Sequence, residues 1–294
     1  MSKRQRWWGL LFILPWLIGF VCLTLGPMIA SLVLSFYHYN PGEMQFAGLT
    51  NYQRMLTEDP YFWSSLWRTM LYTLFAVPLG LSGSLLLAVL LNQNLRAKGL
   101  WRACFYIPTL VPAVAASFIW KYLFNQHFGL VNRLLADAGM PKEQLPQWFE
   151  SSSLALPTLV LMSLWGIGGA RMIIFLAGLQ NIPASLYEAA SIDGASRWQQ
   201  FRHVTLPMLS PVIFFNLILG AIGAFQVFTQ AFLITSGGPV NATLFYALYL
   251  FRKAFQQFEM GYASALAWAF FVVLGILTAI QFWASKKWVH YEAE

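Results

Sequence analysis

Residues 10 to 36 read Leu10-Leu-Phe-Ile-Leu-Pro-Trp-Leu-Ile-Gly-Phe-Val-Cys-Leu-Thr-Leu-Gly-Pro-Met-Ile-Ala-Ser-Leu-Val-Leu-Ser-Phe36, 27 residues without a charge. A bilayer core about 30 Å thick needs roughly 20 apolar residues of helix, so this run alone is long enough to cross one. Further charge-poor intervals follow near Met70–Leu91, 103–120, 151–179 (interrupted by Arg171), 208–232 and 260–285. The count is six spans, and the fold class is an all-α, polytopic transmembrane helical bundle.

Composition agrees. Hydrophobic types make up 58% of the 294 residues and charged types 10%, with a mean hydropathy of +0.58. A soluble domain carries about 25% charged residues, so this chain has too few to face water. The net charge of +7 reflects scarce acids, 11 of them, rather than abundant bases, which excludes disorder and nucleic-acid binding. Thirteen Trp, twelve Tyr and twenty-five Phe suit aromatic belts at two lipid–water boundaries. Cys22 and Cys104 give neither a disulfide framework nor a metal spacing. His38, His127, His203 and His290 are scattered and read as solvated or interfacial. Met1–Arg6 resembles the basic start of a signal peptide, yet the apolar run after it is far longer than such a peptide needs and no small-residue cleavage pattern follows.

Lys and Arg in the flanks set the orientation. With both termini inside, segments 1–9, 92–102, 179–207 and 285–294 carry ten bases in 59 residues, while 38–65, 125–153 and 233–262 carry five in 87. Both ends are therefore expected in the cytoplasm. In lipid, helices associate through small residues; the second span offers Ala76, Gly80, Ser84 and Ala88, and the sixth Gly261, Ala265 and Ala269. Pro15, Pro27, Pro78, Pro108, Pro112 and Pro157 are positions for kinks.

The segment 179–207 has a shape of its own. Ser185 and Glu188 stand three apart after Pro183, a capping-box spacing, and Ala189 and Ala190 favour helix. Gly194 suits the left-handed residue that ends a helix. Ser196 is placed to cap a second turn bearing Trp198 and Phe201, before Pro207. Two short helices joined by a glycine bend are expected, forming either a surface helix under its own bundle or a thin ridge that seats in another protein.

Glu188-Ala189-Ala190, Asp193-Gly194-Ala195 and Leu206-Pro207, with Pro211 behind them, resemble the EAA loop of ABC importer permeases. Tyr187, the Thr235-Ser236-Gly237-Gly238-Pro239 turn, Met260-Gly261-Tyr262-Ala263-Ser264-Ala265, and the early Leu14-Pro15 and Gly26-Pro27 are similar to carbohydrate-importer permeases of the maltose or glycerol-phosphate type. The resemblance covers nearly the whole chain. It implies an assembly with a second homologous permease, two ATPase subunits and an extracytoplasmic solute-binding protein, with Tyr187, Glu188, Ala189, Ala190, Asp193 and Gly194 as the ATPase-coupling residues. ATP and Mg would be bound by the partner ATPases and no cofactor by this chain; none of its seven lysines follows a glycine, so it has no phosphate-cradling G-x-x-x-x-G-K loop. No large inserted outer domain is expected.

Uncharged polar side chains inside a span are candidates for a wet path. Asn216, Gln226, Thr229 and Gln230 in the fifth span, interleaved with Phe225, offer amides for hydroxyls and aromatic faces for C–H surfaces; their alternative use is interhelical hydrogen bonding. Gly166, Gly169 and Ala170 in the fourth span either line a cavity or allow tight packing. Arg171 is expected to snorkel to lipid phosphates, with an anionic solute as the other reading. Gly237, Gly238 and Pro239 form an outer turn, a gate or binding-protein contact if not a plain turn.

The resulting expectation is an inner-membrane permease subunit, not an enzyme, importing a sugar or sugar-like solute by alternating access. Its parts are an amino-terminal segment, 1–65, a core, 66–285, and a cytoplasmic tail, 286–294. A glycerol phosphate or polyol importer is the alternative. An integral-membrane enzyme fits poorly, because Glu188 and Asp193 are the only acids of the inner loops.

Overall fold

In the computed structural model the described residues are 3–40, 43–93 and 96–290, with side chains from 11 onward except that of residue 40. Residues 291–294 of the expected tail lie outside them, as do Met1, Ser2 and the side chains of Lys3, Arg4 and Arg6, which contribute to the charge asymmetry.

In chain order, α1 (Lys3–Phe20) joins α2 (Gly26–Leu34) through a π-helical turn, and a hairpin of β1 (Tyr37–Asn40) and β2 (Glu43–Phe46) precedes α3 (Thr50–Thr57). Then follow α4 (Pro60–Asn92), α5 (Lys98–Leu110), α6 (Ala113–Leu123), α7 (Leu130–Asp137) and α8 (Ala155–Ser163). The remainder is α9 (Ala170–Gln180), α10 (Ala184–Ile192), α11 (Arg197–Gln200), α12 (Leu206–Met208), α13 (Ser210–Phe225), α14 (Tyr246–Phe251) and α15 (Met260–Ser285). Among the described residues the antiparallel hairpin is the one departure from an all-helical chain; Tyr37 stands opposite Phe46, their rings edge to face at 5.3 Å.

Leu11–Leu34, Pro60–Asn92 and Met260–Ser285 are single helices long and apolar enough to cross a membrane. Three more spans are bent pairs: Lys98–Leu110 with Ala113–Leu123 by 90°, Ala155–Gly166 with Ala170–Gln180 by 51°, and Arg197–Met208 with Ser210–Phe225 by 65°. Counting each pair as one gives the expected six. The bends fall where the helical ladder loses donors or turns extended. Pro112 has no N–H, and Val111 before it is extended. Gly169 is extended between a 3₁₀ turn, Leu164–Gly166, and α9. Ser84 of α4 donates to the carbonyl of Ile167 inside that break, at 2.7 Å.

The fifth span differs most from its expected course over 208–232. Helix already begins at Arg197, inside the expected loop, and it bends at Leu209, where Pro207 and Pro211 remove successive donors. It stops at Phe225, and residues 226–228 are not helical.

The chain forms two compact units, Met1–Trp63 with Tyr249–Val273 and Ser64–Leu248 with Leu274–Glu294. Residues 249–273, expected in the core, thus fold with the amino-terminal segment. In this first unit Asn51 donates to the carbonyls of Ser35 and Tyr37, at 2.9 and 3.0 Å. Asp59 accepts from the hydroxyls of Tyr249 and Tyr262, and Arg54 pairs with Glu259 at 2.8 Å while lying over the Tyr262 ring. Burial, with the Asp59 hydrogen bond, raises the Tyr249 phenol well above its ordinary value and keeps it a donor. Gly261 lies against the Tyr37 carbonyl, where a Cβ has no room. The Met260–Ala265 motif is therefore a structural clamp.

The second unit has its core where α4, α9 and the start of the fifth span's second half meet: Val77, Leu81, Ala88, Met172, Phe175 and Leu209, all buried. The small-residue stripe of the second span is its packing face, since Ala76, Gly80, Ser84 and Ala88 are all buried.

Candidate functional site

The loop after α9 folds as two short helices. Pro183 fixes the start of α10 two residues early, so Ser185 falls inside the helix and the Ser185–Glu188 capping box does not form. The helix ends with Gly194 at φ +75°, a left-handed conformation that costs glycine little. The capping box forms instead at α11: the Ser196 Oγ accepts from the Gln199 N–H, and the Gln199 Oε1 accepts from the Ser196 N–H.

Glu188, Ala189, Asp193 and Gly194 are exposed, Ala190 is half-buried, and Ile192 is 87% exposed. One face of α10 is thus bare, apolar and acidic. Its other side is braced. Tyr187 and Thr205 share a hydrogen bond of 2.9 Å between hydroxyls, and Gln200 donates to the Ser191 Oγ at 2.9 Å and to the Ala195 carbonyl at 3.2 Å. Thr205 lies in the π-helical turn that enters the fifth span. α10 is thus tied by hydrogen bonds to the entrance of the fifth span. A cavity of about 660 Å³ separates this brace from the end of α4, lined by Asn92, Gln93, Tyr187 and Arg197 among others.

The expected path residues divide. Gln226 is exposed in the helix break, and Thr229 and Gln230 just beyond it are half-buried. The break leaves Gln226 in a non-helical stretch and Gln230 beyond it, rather than both on one continuous helix. Asn216 is 1% exposed and donates to the carbonyl of Val212 in its own helix, so it is removed from the wet set. Phe225 is buried as well. In the fourth span Gly166 and Ala170 are exposed, and a Cβ on Gly166 would meet open space. Gly169 packs: a Cβ there would lie 2.7 Å from the Thr109 side chain, and Gly168 is pressed as closely against the Phe105 carbonyl.

Arg171 does not take the snorkelling course. It is the second residue of α9, roughly 13 Å along the axis from Gln180, and helical side chains lean towards the helix start, away from that end. The guanidinium is half-buried between two glycines of other spans. A Cβ on Gly80 of α4 would lie 2.9 Å from one terminal nitrogen, and one on Gly220 of α13 would lie 3.3 Å from the other. An arginine in mid-span costs roughly 3 kcal/mol on insertion scales.

At the far end of the second unit, Gly238 and Pro239 line a cavity of about 320 Å³ together with Phe124, Asn125, Gln126 and Trp148. Trp148 meets Phe124 edge to face at 5.2 Å. Ser236, Gly237, Val240 and Asn241 all have positive φ, the Gly238–Pro239 bond is cis, and Val240 is 87% exposed. Sequence reading found the turn but not its aromatic and amide neighbours. Their local signal, Asn125-Gln126 and Trp148-Phe149, resembles any interfacial loop, and only the fold brings the two together.

Comparison with known proteins bears on these features. Residues 80–289 match the model of the binding-protein-dependent transport system inner membrane component family. A probable ABC transporter permease protein of Bacillus subtilis, YesP, is 46% identical, covering 99% of this chain and 94% of that one. The lactose transport system permease protein LacF of Rhizobium radiobacter is 35% identical over 97% of both. The crystal structure of a bacterial ABC transporter that imports alginate contains a chain of similar fold, with a TM-score of 0.84 and 22% identity, covering 97% of this chain and 96% of that one.

Proposed function

The chain belongs to the family of binding-protein-dependent transport system inner membrane components, and we propose that it carries a sugar or sugar-like solute across the membrane by alternating access. It is a multi-pass transport subunit and not an enzyme. The proposed assembly has a second permease of the same family, two ATPases docked from the cytoplasm, and an external solute-binding protein. Both termini lie in the cytoplasm in this reading. The sugar assignment is supported by the lactose permease relative and by the uncharged set Gln226, Thr229 and Gln230 at a break in the fifth span, the chemistry that hydroxyls require. A helix interrupted in mid-span is where transporters commonly place cargo.

The observation that carries the mechanism is the bare face of α10 combined with its brace to the fifth span. ATPase closure would push α10, and the Tyr187–Thr205 bond would pass the movement on. Glu188, Ala189, Ala190, Asp193 and Gly194 form the docking ridge. The turn around Gly237, Gly238 and Pro239, with exposed Val240, would meet the binding protein. Replacing Glu188 with Lys puts the wrong charge on the ridge while leaving the bundle intact. In proteoliposomes, ATP hydrolysis driven by the loaded binding protein should fall at least tenfold with normal membrane insertion. Full stimulation in that variant would remove α10 from the drive train.

A further inference from the structure

We propose that the guanidinium of Arg171 receives an anionic group of the transported solute, a carboxylate or phosphate, so that the cargo is an acidic sugar rather than a neutral one. The assignment rests on the sugar-importer reading above and narrows its cargo.

The cation is built in. Three spans of the second unit hold it, and Gly80 and Gly220 give its two terminal nitrogens room that a Cβ on either glycine would crowd. It directly follows the break whose Gly166 and Ala170 are exposed, and the free amides at the start of α9 add partial positive charge of the same sign. Five N–H donors are available on a guanidinium, yet no hydrogen bond or ion pair joins Arg171 to another described residue. Among the described residues of this unit the acids, Asp137, Glu143, Glu150, Glu188 and Asp193, all lie outside its spans. Tyr72 is close enough to interact with it electrostatically.

A fixed charge inside a membrane faces the bundle interior or a wet cavity and is kept where it acts on an ion. Neutral hydroxyls are already served by Gln226, Thr229 and Gln230 and give no reason for a cation. An anionic cargo does, because it brings the missing counter-charge with it and forms short charge-assisted bonds in a site poor in water.

The test uses the complete transporter in proteoliposomes with its binding protein. ATP hydrolysis and uptake are followed with digalacturonate, with the neutral disaccharide obtained by reducing its carboxyl groups, and with glycerol 3-phosphate. Wild type, Arg171→Gln and Arg171→Lys are compared; the binding protein is common to all, so its own preference cancels between variants. The expected result is that an acidic probe drives the wild type, that its response relative to the neutral probe falls at least tenfold in Arg171→Gln, and that Arg171→Lys keeps a substantial part. Whether digalacturonate or glycerol 3-phosphate is the driver separates carboxylate from phosphate. The proposal is overturned if the neutral disaccharide alone drives the wild type. It is equally overturned if Arg171→Gln lowers all responses in proportion, as for an arginine that pairs with a carboxylate of the second permease or serves only packing. Stimulation by none of the three probes would remove the importer reading on which the proposal rests.

Discussion

In the proposed drive, one atom of Tyr187 would serve transmission. Its ring belongs to α10, its hydroxyl meets Thr205 at the entrance of the fifth span, and its backbone carbonyl accepts from Ser191. Removing the hydroxyl leaves the ring and the helix in place. Tyr187→Phe should therefore keep the transporter assembled and lower binding-protein-stimulated ATP hydrolysis several-fold, since one side-chain hydrogen bond contributes about 1 kcal/mol. Unchanged stimulation in a purified, stably folded variant would show that movement passes by another route. Arg171 makes the converse point about single residues. Its neighbours Gly80 and Gly220 lie on spans distant in sequence, so no local pattern marks the cradle, and reading outward from its flanks led to lipid phosphates instead.

At the scale of the element, α10 and α11 were legible because each signal is local. Pro183 opens one helix, Gly194 closes it, and Ser196 with Gln199 caps the next. Gly194→Ala forces a Cβ into a left-handed residue, which costs roughly 1–2 kcal/mol, and should tilt or lengthen α10. The expected outcome is a lower melting temperature with weaker ATPase co-purification, measured side by side with Ser196→Ala, whose lost cap costs about 1 kcal/mol without altering the bend. Equal effects of the two variants on ATPase retention would argue against a specific role for the bend. The spans themselves were countable from hydropathy, since charge-free length is what a bilayer demands. Their bends were not. A hydropathy sum treats Gly166–Gly169 and Gln226–Phe228 as ordinary span, and the exposure of Gln226 beside the burial of Asn216 depends on a helix ending at Phe225. Gly169 is packed and Gly166 open, a difference decided by where Thr109 of another helix sits.

For the molecule as a whole, the sidedness proposed from the flanking bases is open to a direct measurement. Ile192 and Val240 are each 87% exposed and lie at opposite ends of the second unit's fifth span. With Cys22 and Cys104, both exposed, first replaced by Ala, a cysteine at 192 should react with a membrane-impermeant thiol reagent only in inverted vesicles, and one at 240 only in intact spheroplasts or right-side-out vesicles. The reverse pattern would invert the topology and with it the proposed direction of drive. The boundaries of α10 carry a last consequence. Proline on one flank and a left-handed glycine on the other make these nine residues a self-contained cassette whose fold does not depend on what the spans carry. On the proposed docking role, engine compatibility and cargo choice should be separable traits: exchanging residues 184–194 between related permeases should change which motor is accepted and leave the freight untouched.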